Sequence, residues 1–457
     1  MPRASQPACM ASSRRASAVP LTGADCFLRA FDAEVRRTAG ASHVSQLVLR
    51  LGPGLDLDGL QKLVAEVAQA QPLLRAPIRR PWGVLPPVYR TDLGANAPLP
   101  RVLVHRVAAS AGAEPPVPPI FAARLNDRFD GRRGELLCCD VVRYGDGGAA
   151  RSDVAFTWLH MLFDGSGSER FVRWLDQVGR GLVPADALPD EARAAAAAPG
   201  ARARGDQALR WQARMRAFSA RSPRSLAGPL GHARQDLSYE LETFAPDETA
   251  GIVMRAKKGA GFLTPMLFYL AASIRAHHAV QRARGVDPGS YVVPLPVNLR
   301  AKGGQGEIFG TRISLVWFQV FPEQVESFDG LLAALKAQRL ATIKEGLVEA
   351  GSAAMDFARW LPRRYYARMA RRAFRGELCS FFFAYTDEFL PGMASFLGAP
   401  IENAFHAPSV PPSPGSSAVF SLRGGRLNFT HVHQAGVFSA AELSHFRAAL
   451  RADLLGF

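Results

Sequence analysis

Between residues 44 and 51 apolar side chains stand at Val44, Leu47, Leu49 and Leu51, a spacing that predicts a strand. Asp56 or Asp58 then sits where a helix cap belongs, and Leu60, Leu63, Val64 and Val67 fall on one helical face. Leu73 and Leu74 lead into a further extended stretch. Proline-rich breaks follow at 81–87 and 115–119. Residues 135–144 and 153–159 read as strands. Directly after the second, Ser166 and Glu169 have the spacing of a capping box, and Phe171, Trp174, Leu175 and Val178 form an apolar helical stripe. The local order is strand, short loop, helix.

From 184 to 228 the chain turns rich in alanine and arginine, with a helix expected over 207–218 crossing between two halves. Beyond it the pattern begins anew. Strands are expected over 237–244, 291–297, 313–320, 380–385 and 426–432, with helices ending near 258 and spanning 264–276. Ser439 and Glu442 form a second capping box, ahead of a stripe of Leu443, Phe446, Leu450 and Leu454. Strands and helices mix in both halves, which makes the class α/β or α+β. The expected organisation is a disordered leader over 1–20, a first lobe over 21–185, a linker and crossover over 186–228, and a second lobe over 229–457.

Composition narrows this picture only in part. The chain has 457 residues, more than one ordinary core accommodates. Its longest apolar run, 261–274, falls short of a membrane span. The leader lacks the apolar segment of a secretory signal. Five cysteines, Cys9, Cys26, Cys138, Cys139 and Cys379, show neither a disulfide spacing nor a CxxC pair, so reduced thiols in a cytoplasmic protein and no metal are expected. The formal net charge of +15 favours anionic partners such as CoA phosphates or an acidic carrier protein. No recognisable nucleic-acid module accompanies the arginines, so no nucleic acid is expected.

The candidate chemistry lies at His160, at the end of the strand expected over 153–159. A histidine there is held by a rigid sheet yet can face a cleft, and neutral imidazole accepts a proton near neutral pH. Asp164 is separated from it by a loop and is expected to fix that loop by pairing with a cation. Gly165 is expected to supply backbone freedom at the turn. A lone histidine at a strand end is more often structural than catalytic, so the surroundings decide.

Those surroundings carry a resemblance. The segment Phe156-Thr-Trp-Leu-His160-Met-Leu-Phe-Asp164-Gly165-Ser166 resembles the HxxxDG signature of the chloramphenicol-acetyltransferase-like superfamily, which includes condensation domains and the wax ester synthase/diacylglycerol acyltransferases. Gln71-Pro72-Leu73-Leu74-Arg75, Glu135-Leu-Leu, Pro296-Val297-Asn298-Leu299-Arg300 and Gly425-Arg-Leu-Asn-Phe fall in the order of further family segments, so the likeness spans 21–455. Many members carry a double histidine, where this chain has Leu159 before His160. The resemblance implies an α/β fold of two chloramphenicol-acetyltransferase-like lobes in a V-shaped pseudo-dimer, with the active site at their interface. It also implies His160 as general base, Asp164 as a structural residue pairing with an arginine, for which Arg300 is chosen, Gly165 as structural, and Asn298 as substrate-binding. From the residues themselves, the run Phe381-Phe382-Phe383, with Phe382 substrate-binding, and the polar loop 302–305 are expected to contribute to the site. The expected activity is acyl transfer from an acyl-CoA or carrier-protein phosphopantetheine thioester, a co-substrate with no bound cofactor, to a hydroxyl acceptor. The alternatives are a condensation-type enzyme joining an amine acceptor, or a non-catalytic condensation-like binding module. A monomer is expected, with room for peripheral membrane contact.

Overall fold

The computed structural model describes residues 17–107, 116–145, 150–188, 200–228, 236–300, 307–372, 374–411 and 413–456. Its strands are numbered along the chain. A small sheet joins β1 (Val19–Pro20), β4 (Val88–Tyr89) and β3 (Ile78–Arg79). The first lobe is built on a six-stranded sheet in the order β12 (Ser395–Phe396), β13 (Ala399–Pro408), β2 (Val44–Leu51), β7 (Arg151–Leu159), β6 (Leu137–Tyr144) and β5 (Arg101–Val107). The second lobe holds a four-stranded sheet, β11 (Phe382–Glu388), β14 (Ser416–Arg423), β15 (Arg426–Gln434) and β8 (Leu237–Thr243), beside a pair formed by β9 (Tyr291–Asn298) and β10 (Ile313–Val320). No helix among the described residues is long and apolar enough to cross a membrane.

The sheets do not follow the division of the sequence at 229. β13 pairs antiparallel with β2, setting Ala404 against Leu49 and Phe405 against Val48. The second half therefore lends 395–408 to the sheet of the first lobe. Every residue of β2 is buried between β13 and β7, the polar Ser45, Gln46 and Arg50 as well as the five apolar residues. β10 alternates instead, burying Ser314, Val316, Phe318 and Val320 while the intervening residues stay partly open. Each lobe has its own core, around Phe156, Trp158 and Trp174 in the first and Tyr269, Phe318 and Phe420 in the second. The crossover helix runs over Ala201–Ser219, and its Met215 and Phe218 pack with Val292 of the second half.

Several local expectations are corrected. Val19–Pro20, inside the expected leader, forms a strand; 1–16 lie outside the described residues. Pro72–Arg75 is a 3-10 helix rather than extended chain, because the Arg75 guanidinium gathers the carbonyls of Ala68, Ala95 and Ala97. The Ser166/Glu169 capping box does not form. Asp164 is the cap, accepting from Gly167 N–H at 2.8 Å, while Glu169 turns inward and accepts from Leu390 N–H at 2.8 Å. The second box, Ser439 with Glu442, is present. Cys26, Cys138, Cys139 and Cys379 are buried free thiols, and Cys9 lies outside the described residues.

Candidate active site

β7 ends at Leu159, so His160 is the first residue beyond the sheet. Its backbone N–H donates to the His43 carbonyl at 3.1 Å. Val44 lies opposite Leu159 in the antiparallel register, which brings His43 beside His160. Their rings stack with centroids 5.1 Å apart. His160 Nδ1 is buried and makes no hydrogen bond of good geometry, leaving Nε2 as the nitrogen that faces the cavity. Burial pushes the imidazole below its ordinary pKa, partly offset by the backbone at His160 and Phe163 and by the Asp164 carboxylate. His160 is therefore neutral near pH 7.

Asp164 makes no hydrogen bond to this ring. Arg300 Nη1 donates to both of its oxygens, at 2.8 and 2.6 Å, and the Arg312 N–H donates at 2.8 Å. With the Gly167 N–H, the carboxylate is saturated by donors. The Arg300 and Asp164 side chains are only 3% and 5% exposed, so this is a buried ion pair across the two halves. Arg300 is itself held by the Glu307 carbonyl at 3.0 Å. The loop after it lies against the motif: Gly310 N–H donates to Leu162 O at 2.8 Å, and a Cβ on Gly167 would stand 2.5 Å from Ile308 O.

Gly165 has a different reason from the one expected. It is the first helical residue, outside the left-handed region, and a Cβ there would come within 3.2 Å of His406 Cε1. Its missing side chain makes room for His406 rather than freeing the backbone. His406 comes from β13, and His43 immediately precedes β2. Neither belongs to a local motif, so sequence reasoning missed both; the only signal is a histidine in or beside a strand.

The cavity in front of His160 has a volume of about 300 Å³. Phe27 and Phe31 of the helix Gly23–Thr38 line it from the first half, and Pro296, Leu315 and Phe382 line it from the second. Asn298 also lines it, its amide donating to Ser166 Oγ at 3.1 Å. All six sequence-predicted residues thus gather here: His160, Asn298 and Phe382 face the cavity, and Asp164, Gly165 and Arg300 form or brace its base. Phe381 does not line it, being stacked on His277 in the core. The polar segment 302–305, also expected to contribute, lies outside the described residues.

No protein-family model matches the sequence, and no curated protein matches it. Solved structures do match in three dimensions. The first condensation domain of the calcium-dependent antibiotic synthetase, in complex with a substrate analogue, is 18% identical with a TM-score of 0.66, covering 96% of this chain and 95% of that one. The trichothecene 15-O-acetyltransferase of Fusarium sporotrichioides is 12% identical with a TM-score of 0.67, over 96% and 95%. This chain has the condensation-domain fold. The starter condensation domain of rhizomide synthetase, in complex with C8-CoA and Leu-SNAC, is a further match: 13% identical, TM-score 0.62, over 96% and 94%.

Within this condensation-domain fold, proton bookkeeping defines what the cavity can do. Val44 N–H donates to Ser409 Oγ at 2.8 Å, so the Ser409 hydroxyl is free to donate to His43 Nδ1, 3.1 Å away. That leaves the His43 proton on Nε2. Ser168 gives its hydroxyl proton to Gly165 O at 2.7 Å and so accepts from His406 Nε2 at 3.0 Å, leaving Nδ1 of His406 as an acceptor. Burial drives the His406 pKa down to about 3 and holds His43 well below its usual value. Both neighbours stay neutral, and His160 is the ring with an unengaged nitrogen toward the cavity.

Proposed function

We propose that this chain transfers an acyl group from a CoA or carrier-protein phosphopantetheine thioester to a hydroxyl acceptor, with His160 as general base. The observation that carries this reading is the neutral His160, with Nε2 facing an apolar cavity lined by both halves. Nε2 takes the acceptor proton as the oxygen attacks the thioester carbonyl carbon. The C–S bond then breaks, and the departing thiolate takes the proton back from the imidazolium. No acyl-enzyme forms. Negative charge on the carbonyl oxygen needs a donor. The Gly165 N–H, at a helix start without an intrahelical partner, and the Asn298 amide are suitable. The chain's positive charge suits the phosphates of CoA or an acidic carrier.

The test is acyl transfer by purified protein, offered CoA and carrier-bound donors with hydroxyl and amine acceptors. His160→Ala should keep its fold by circular dichroism and lose roughly 10²–10⁴-fold in kcat/KM. Wild-type turnover by that variant would overturn the mechanism. Because His160 titrates below its ordinary value of 6.5, the acid limb of the wild-type kcat/KM profile should lie below that pH. A limb above it would mean that another group, or a charged neighbour, governs the step.

A further inference from the structure

A second polar cluster lies in the second lobe, between the sheet and the C-terminal helix Ala440–Leu455. Glu240 of β8 stands directly opposite His431 of β15, and His433 follows two residues along on the same face. One ligand atom from each of the three lies within 4.8 Å of the others. None of them lines the cavity at His160. His431 is 1% exposed and His433 7%, yet His431 Nδ1, His433 Nε2 and Glu240 Oε2 are buried and make no hydrogen bond. The Arg447 guanidinium does make ion-pair contact with that Glu240 oxygen, but the two ring nitrogens remain without partners.

The surrounding hydrogen bonds say which nitrogens carry protons. His277 Nδ1 lies 2.8 Å from Ser273 O, which can only accept, so His277 Nε2 is bare. Ser416 Oγ, 3.3 Å from that nitrogen, donates to it and accepts from His431 Nε2 at 3.1 Å. His431 therefore keeps its proton on Nε2 and presents a lone pair from Nδ1. His433 Nδ1 faces the Gln434 carbonyl at 3.4 Å, which leaves its Nε2 as the lone pair. Two imidazole lone pairs and one carboxylate oxygen thus converge with no donor between the rings. Such an array is unfavourable when empty and is relieved by a cation. A cavity of about 320 Å³, lined by Glu240, His431, Arg447 and Arg451, opens beside it.

We propose that Glu240, His431 and His433 bind a divalent transition-metal ion of the zinc class. Two neutral imidazoles with one carboxylate suit such ions better than Mg²⁺ or Ca²⁺, which prefer oxygen alone. With bonds of about 2.1 Å a tetrahedral ion sets its ligands roughly 3.4 Å apart, so the side chains draw inward on loading and Arg447 gives up its contact. Ser416 and His277 serve as the outer layer that fixes the His431 tautomer.

The experiment uses tag-free full-length protein stripped with chelator and titrated with Co²⁺, read by visible absorption, then with Zn²⁺ in competition. One equivalent should bind. Ser416→Ala, which keeps all three ligands, should weaken binding by roughly 10–100-fold. Glu240→Gln and His433→Gln, each confirmed folded by circular dichroism, should lose the Co²⁺ spectrum. Glu240→Gln carries the test if the histidine variant fails to fold, because its side chain is partly exposed. Absence of stoichiometric uptake by the wild type at micromolar metal, or an unchanged spectrum in folded Glu240→Gln protein, overturns the site.

Discussion

Glu169 shows how far a side chain's surroundings can depart from its local pattern. Four residues before Arg173 and three after Ser166, it reads as a surface capping residue, but it is half-buried against Leu390, and desolvation raises its pKa to about 7. A carboxyl that holds its proton more tightly when folded adds stability below its ordinary value of 4.5. That contribution is lost as pH rises through about 7. Glu169→Gln keeps an acceptor for Leu390 without the charge, so it should gain stability relative to wild type as pH rises. Denaturant melts between about pH 5 and 8 would show this, and equal slopes would refute it. At this scale the sequence was legible where chemistry and spacing coincide. His160 stood out by its motif, and Arg300 with Asp164 through the family resemblance. His43, His406 and Glu169 were not legible, because strand register and chain crossing, rather than neighbours in sequence, bring them to their places.

At the scale of elements, the helix Gly165–Gly179 begins where it does because Asp164 caps it. The same carboxylate binds Arg300 and Arg312 N–H, so one residue ties the helix start to a loop of the other half. Asp164→Asn could still cap Gly167 but would leave the Arg300 guanidinium buried without its counter-charge. Loss of one partner of such a pair costs about 3–5 kcal/mol. Calorimetry should therefore show a markedly lower Tm, with activity falling in parallel; an unchanged Tm would place the carboxylate outside the structural role. Elements with clean apolar periodicity were readable to within a few residues, among them the strands Val44–Leu51 and Ile313–Val320. The helix Gly23–Thr38 was not. It buries Asp25, Asp32 and Glu34 along with Phe31 and Val35, so charge interrupts the stripe that marks a helix in sequence. β13 and β14 were missed because proline and polar residues break their alternation.

The whole molecule places its cavity between two halves, the second of which also lends strands to the sheet of the first. A chain ending before residue 228 would keep His160 but lack β13, Arg300 and the second wall of the cavity. Such a fragment should transfer no acyl groups, and co-expression with the remainder should restore some turnover. Full-rate transfer by the fragment alone would refute a shared site. The α/β class and the pairing of two lobes were legible in the repeated mixture of strands and helices. The donated strand was not, since nothing in the composition of 399–408 says which sheet it joins.

That donated strand also bears on how the chain is made. β2 and β7 leave the ribosome long before β13, and until Ala399–Pro408 emerges β2, buried along its whole length in the finished fold, presents an unpaired edge. At roughly 5–20 residues per second, that exposure lasts on the order of tens of seconds during synthesis. The nascent first lobe is thus a natural client for chaperones that shield strand edges, and slow translation ahead of β13 should lower soluble yield more than slow translation behind it.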